Sequence, residues 1–355
     1  MRLISNCLII FNLLTMAYSG HLSDFLPDYV PIDVDQYETY WDEFKTKYSK
    51  EYSSPAEESY RKRVFSQNLD LITEHNLEAD KGTKSFKLGV NRFCDQTPEE
   101  FKEEKSQLTS SDESSSNLIE IPGLMELFSI DSKQAEKVAA SMDWRKVGII
   151  NKPVDQKECG ACWAFSAVTA IEAQLAISSR GKLYRLSAQQ LLDCSGNNMG
   201  CEGGLMTTAF TDLIGTEGLV EDSSYPYAGD QGMCRASKMK PKFGHVLGFG
   251  IVESVNETAL KYAVHQKGPI TVGIDSKSPY FRYYWKGIYD DVFCSNNLNH
   301  AITIVGYGTD EMEGDYWIIK NSWGTDWGED GYARIKRGKN LCGMSLIPSY
   351  PILKE

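Results

Sequence analysis

Cys162 stands in the run Gln156-Lys-Glu-Cys-Gly-Ala-Cys-Trp-Ala-Phe-Ser166, three residues after Cys159. From Trp163 to Ile177 the chain is apolar on nearly every face, which predicts a buried helix with Cys162 in its first turn. A thiol there sees unpaired backbone N–H groups and the positive end of the helix dipole, and both favour the reactive thiolate. The competing reading is a Cys-x-x-Cys pair of Cys159 and Cys162, for zinc or for redox work. No second such pair follows at zinc spacing, and no short βαβ pattern surrounds this one. Of the five histidines, His21 and His75 fall in the strongly acidic N-terminal part. His245 and His265 read as ordinary surface or structural residues, and His300 opens the β-branched run Ala301–Val305.

The string Cys159-Gly160-Ala161-Cys162-Trp163 resembles the nucleophile signature of papain-family cysteine proteases of the cathepsin L type. The resemblance implies Cys162 as nucleophile. It implies His300 as partner, 138 residues downstream and within Leu298-Asn299-His300-Ala301. It implies that Asn321, opening Asn321-Ser322-Trp323-Gly324, orients the imidazole, with Trp323 shielding that bond. Gln156 would supply an oxyanion donor together with the Cys162 backbone N–H. Gly203 and Gly204 would form an open edge for an extended substrate. Leu205, Met206, Gly273, Leu298, Ala301 and Ile347 would line the pocket for the residue two before the cut, giving a preference for Leu or Val and poor use of Arg or large aromatics. No histidine-bearing insertion of the exopeptidase kind is present, so endopeptidase action is expected. The chemistry calls for no metal or organic cofactor.

The 355 residues suffice for a large core. The net charge of −12 is uneven: 24 acids and 22 bases from Val138 onward give −2, and 25 acids and 15 bases before it give −10. Such asymmetry suggests two parts with separate fates, and nothing is basic enough for nucleic acid. Nine cysteines are present. Setting aside Cys7, Cys94 and Cys162 leaves six, for which counting alone leaves about 15 pairings open. The resemblance implies Cys159–Cys201, Cys194–Cys234 and Cys294–Cys342, hence an oxidising compartment.

Met1–Ser19 reads as a secretory signal, with Arg2, an apolar run Leu8–Leu14 too short to span a membrane, and Ala17-Tyr18-Ser19 as the cleavage site. Residues 20–137 read as an inhibitory propeptide, with a helical domain at about 35–102 and a mobile acidic, Ser-rich linker at 103–137. Glu57, Arg61, Phe65, Asn68, Ile72 and Asn76 share one stripe of a helix. They resemble the Glu-Arg-Phe-Asn-Ile-Asn pattern of cathepsin L-type propeptides, and Gly89, Asn91, Phe93 and Asp95 resemble the Gly-x-Asn-x-Phe-x-Asp element of the same propeptides. Cys94 falls in a variable slot and reads as a small buried residue. The apolar patch Ile119–Phe128 is expected in or near the substrate cleft.

Residues 138–355 read as an α+β catalytic domain of papain architecture, a helical lobe to about 245 and a β-barrel lobe after it, with the cleft between them. Partners implied are peptide substrates, the chain's own propeptide and cystatin-type inhibitors of a monomeric enzyme that is secreted or lysosomal. Asn256-Glu257-Thr258 is a glycosylation acceptor. Acid is expected to loosen the propeptide and permit self-cleavage near Val138. Two other readings stand beside the protease: a silent binding protein on this fold, and a cysteine-dependent acyl transferase.

Overall fold

The computed structural model describes residues 34–105, 108, 124–129, 138–236 and 239–354. The signal segment and most of the linker lie outside them. The propeptide opens with helices α1 (Val34–Tyr48) and α2 (Pro55–Asp80). Ser54 caps α2 by accepting from the Glu57 N–H, Pro55 takes the first turn, and Glu57 reaches back to the Ser53 N–H at 2.9 Å. These are the reciprocal bonds of a capping box, shifted by one residue. Phe65, Leu69 and Ile72 bury one face of α2 against Trp41 and Phe44 of α1. Strand β1 (Phe86–Leu88) and helix α3 (Pro98–Lys105) follow, then β2 (Met125–Phe128).

The second half begins with β3 (Met142–Asp143) and the short α4 (Trp144–Val147). Helix α5 (Cys162–Ser178) is buried along most of its length, as its apolar sequence requires. Around it lie α6 (Ala188–Cys194) and α7 (Met206–Leu213). After Val246 the chain becomes strand-rich: β4 (Val246–Val252), α8 (Glu257–Lys267), β5 (Ile270–Ile274), α9 (Pro279–Arg282), β6 (Tyr284–Tyr289), β7 (His300–Asp310), β8 (Gly314–Lys320), β9 (Tyr332–Lys336) and β10 (Ser349–Leu353). The strands form one mixed sheet in the order β1-β6-β9-β8-β7-β5-β10-β4-β2, with β3 on β7. Both ends of this order are propeptide strands: β1 is antiparallel to β6, and β2 is parallel to β4.

Among the described residues two large apolar cores form, beside two small clusters around Ala173 and Tyr225. One joins α1 and α2 to the aromatic side of the sheet, including Tyr284, Trp323 and Trp327; the other surrounds α5. Disulfides join Cys159 to Cys201, Cys194 to Cys234 and Cys294 to Cys342. Cys94 is free and buried; its sulfur accepts from the Asn91 N–H, and burial pushes its thiol up to about 12.

Candidate active site

Cys162 is the first residue of α5, and the loop before it is pinned twice. The Cys159–Cys201 disulfide ties it to the loop at 201, and the Gly160 N–H donates to the Cys201 carbonyl at 2.9 Å. Trp163 then donates its indole N–H to Gly200 at 3.1 Å. His300, the first residue of β7, donates from Nε2 to Asn321 Oδ1 at 2.8 Å, an assignment required because an amide oxygen only accepts. Asn321 follows the last residue of β8. The β7–β8 pairing therefore carries both groups to the same end of the sheet. The Trp323 ring lies 4.7 Å from the imidazole, and Trp323 is itself boxed in by Phe281 and Trp327.

Gln156 is fully buried. Its Nε2 donates to the Cys159 carbonyl at 2.9 Å and its Oε1 accepts from Ser322 at 2.7 Å. Its backbone bonds Ser322, and its carbonyl accepts from Tyr227. An amide N carries two hydrogens, so the second remains for another acceptor.

The thiol departs from the expectation of a ready thiolate. Burial pushes Cys162 up to about 11, against the opposing pull of the backbone N–H groups of Ala301, Trp163 and Cys162 itself. The helix terminus acts in the expected direction, but desolvation outweighs it, because Cys162 is fully buried in this chain.

Leu108 belongs to the same buried cluster as Cys162. Its N–H donates to the Asn299 carbonyl at 2.9 Å, next to His300. Its side chain packs where a Cβ on Gly273 would stand, 3.1 Å from Leu108 and 2.8 Å from Leu298. Leu205, Met206, Ala301 and Ile347 complete the same apolar cluster. The neighbouring Gly203 adopts φ 114°, which only glycine takes readily, and a Cβ on Gly204 would collide with Asn198. The described part of the Ile119–Phe128 patch pairs as β2 with β4 at one end of the sheet order, with Met125 packed against the cluster around α5, while Leu108 of the acidic segment lies beside Asn299 and Gly273.

The propeptide motif residues converge on the same place. Asn68 donates to the carbonyls of Cys94 and Gln96, and Asn76 bonds both the N–H and C=O of Leu88, so two asparagines of α2 fix the backbone of the following loop. Arg61 reaches Glu100 at 2.8 Å and the Asp95 carbonyl; Asp95 accepts from Lys50 and Tyr52. Gly89 lies against Trp285, where a Cβ would come within 3.1 Å. From this loop Asn91 donates to the Arg282 carbonyl, and Arg92 forms a forked ion pair with Asp155 and also donates to the Trp323 carbonyl. Phe93 and Phe101 pack edge-on against Trp323.

Sequence reasoning had no signal for Leu108 or for the Arg92–Asp155 pair. It also missed a buried pair beneath the site. Lys320, just before Asn321, is brought down to about 8 by desolvation, which the facing Glu172 carboxylate partly offsets; desolvation pushes Glu172 up.

Residues 138–352 match the papain family cysteine protease domain, and residues 41–101 match the cathepsin propeptide inhibitor domain. The chain is 41% identical to the senescence-specific cysteine protease SAG12 of Arabidopsis thaliana, over 88% of this chain and 89% of that one. It is 40% identical to cathepsin S of Bos taurus, over 88% of this chain and 92% of that one. Its fold superposes on a digestive procathepsin L 3 of Tenebrio molitor larval midgut with a TM-score of 0.79 at 36% identity, covering 89% of this chain and 99% of that one. With the papain-family domain matched over 138–352, the cathepsin propeptide domain over 41–101 and relatives at 40–41% identity, this chain is a member of the papain family of cysteine endopeptidases, carried as a zymogen.

Proposed function

We propose that the processed enzyme cleaves peptide bonds of substrates that place an apolar residue, two before the cut, in the Leu108 pocket, with Cys162 as nucleophile, His300 as acid and base, Asn321 as its orienter and Gln156 as oxyanion donor. The observation that carries this reading is the His300–Asn321 bond at 2.8 Å, with the thiol beside the Ala301 N–H of the same strand. Once the cleft opens to water, the desolvation that holds the thiol protonated is relieved, and proton transfer to His300 gives a thiolate–imidazolium pair. The sulfur adds to the substrate carbonyl carbon, and the oxyanion meets the Cys162 N–H and the second Gln156 N–H. Imidazolium gives its proton to the amine nitrogen as the C–N bond breaks. Neutral His300 then takes a proton from water, whose oxygen displaces sulfur from the thioester. Trp323 keeps solvent from the His300–Asn321 bond. Gly203 and Gly204 offer backbone to an extended substrate. Leu108 supports a leucine-type preference, since the propeptide already fills the apolar pocket with that side chain.

Two titrating propeptide groups, His75 and Glu100, support acid release. Burial lowers His75 below its ordinary value of 6.5, a shift partly opposed by its bond to the Phe86 carbonyl; Lys84 adds to the lowering and Asp291 opposes it. A depressed histidine contributes stability above pH 6.5, and that stability is lost as pH falls from 6.5 through the folded value. Its ring packs on Tyr280 of the catalytic half, so the loss falls on the propeptide contact. Desolvation raises the half-buried Glu100, but its bonds from Thr97 and Arg61 outweigh that and hold it below its ordinary 4.5, so a second loss comes as pH falls from 4.5 through the folded value. His75→Gln is therefore expected to shift self-processing to lower pH; an unchanged processing profile would remove His75 from the trigger.

Cleavage near Val138 fits its position beside exposed Ala139 and Ala140. A secreted or lysosomal site, a monomeric state and cystatin-type inhibitors are part of this proposal. Asn256 caps α8 through Oδ1 and is half-exposed, which suits glycan attachment at its nitrogen. The test is acid incubation of the proform under reducing conditions, followed by a fluorogenic panel varied at the second residue before the cut. Leu and Val substrates should be cleaved well above Arg and Phe. An epoxide thiol inhibitor should stop the reaction by adding once to Cys162. Preference for Arg would sink the pocket assignment, and no hydrolysis after complete processing would sink the catalytic one.

A further inference from the structure

The propeptide grips the catalytic half at a second place, away from the cleft. Strand β2 runs parallel to β4 in the register Met125↔Phe249 through Phe128↔Val252. The Phe249 N–H donates to the Leu124 carbonyl at 3.0 Å, and the Glu253 N–H donates to the Phe128 carbonyl at 3.1 Å. Residues two apart on a strand share a face. On that face Glu126 accepts from the Tyr350 hydroxyl and from Lys267 at 3.1 Å. Phe128 lies 5.9 Å from the Tyr262 ring and 6.1 Å from the Tyr350 ring, with the Lys267 ammonium 5.5 Å above it. Leu127, on the other face, is 68% exposed and adds little.

Every receiving group is in the catalytic half: the β4 backbone, Tyr262 and Lys267 of α8, and Tyr350 of β10. Gly248 is shaped for the contact. A Cβ there would come 2.4 Å from the Leu124 carbonyl, although its backbone is not in the left-handed region. The glycine thus admits a neighbouring chain rather than serving a turn. Sheet edges bind added strands through backbone bonds and read alternate side chains.

We propose that the β4 edge is a peptide-docking site separate from the catalytic cleft, which takes an extended segment bearing a carboxylate and, two residues on, an aromatic ring. In the zymogen its occupant is this chain's own Leu124–Phe128 segment. The site does not depend on catalysis.

The test uses the full-length Cys162→Ala chain, which keeps Leu108 over the cleft, with a second version also carrying Glu126→Gln and Phe128→Ala. Hydrogen exchange at the Phe249 and Glu253 amides is expected to quicken about tenfold or more in the second version, while protection of the α2 core stays unchanged. A peptide of residues 122–131 added in trans should restore protection, and the same peptide with Glu126→Gln and Phe128→Ala should not. Adding Gly248→Ala to the chain should block the restoration. Unchanged exchange in the second version, or no restoration by the wild-type peptide at millimolar concentration, would overturn the proposal. Restoration that survives Gly248→Ala would place the peptide elsewhere and overturn it equally.

Discussion

Cys162→Ala is expected to abolish hydrolysis and to leave the proform at full length in acid. Removing a covalent nucleophile of this kind costs on the order of 10⁶ in kcat in a comparable serine enzyme. The fold should survive: Cys162 is a small, fully buried residue at the start of α5, and alanine is the best helix former. Thermal unfolding should therefore match the wild type while active-site titration falls to zero. A variant that still shortens itself, in a preparation free of other proteases, would mean that another group performs the attack.

Gln156→Ala is the second large effect. Loss of one oxyanion donor costs about 10²–10³ in kcat, or roughly 3–4 kcal/mol of transition-state stabilisation, with KM little changed. Alanine also strands the Ser322 hydroxyl, which donates to Gln156, while the Cys159 carbonyl keeps its bond from the Ala161 N–H. An unsatisfied buried group costs about 1–3 kcal/mol, so stability falls too. Gln156→Glu removes the donor while keeping the Ser322 bond, although its second oxygen, buried against the Cys159 carbonyl, lowers stability too. It keeps an oxygen for Ser322 but has no N–H to offer, and its charge opposes an oxyanion. Its kcat should drop at least as far with Ser322 still partnered. If KM rose while kcat held, Gln156 would be a ground-state contact and not an oxyanion donor.

The helices and the two halves were legible because their patterns are long. The α5 run is apolar on all faces, and the α2 motif places Phe65, Ile72 and Asn76 on the buried stripe. His300 and Asn321 were legible through the strings around them; nothing in the period of β7 and β8 says that their ends meet. The asparagines of the propeptide motif could be read as a stripe but not as clamps on the Cys94, Gln96 and Leu88 backbone. Leu108 was illegible because a lone apolar residue in an acidic, Ser-rich segment carries no periodicity. The pairing of Met125–Phe128, the described end of the Ile119–Phe128 patch, with β4 was illegible for a related reason. A four-residue run shows that it can pair, and its partner is decided by Gly248, Tyr350 and Lys267, distant in sequence. The upward push on the Cys162 thiol follows from tertiary burial, which no local reading of a helix terminus contains.

All three disulfides of the described residues lie between Cys159 and Cys342, and the free Cys94 is the cysteine of the propeptide helical domain. Among those residues, then, only the peptide chain joins inhibitor to enzyme covalently. While that chain is whole, Leu108 meets its pocket at an effective concentration on the order of millimolar, whatever the protein concentration outside. One cut near Val138 exchanges that fixed value for the actual concentration of free fragments. The same contacts that silence the uncut molecule would then hold only where enzyme is crowded and would fall away on dilution. A crowded store of cut enzyme would stay inhibited and become active as it spread, with no further chemistry on the protein.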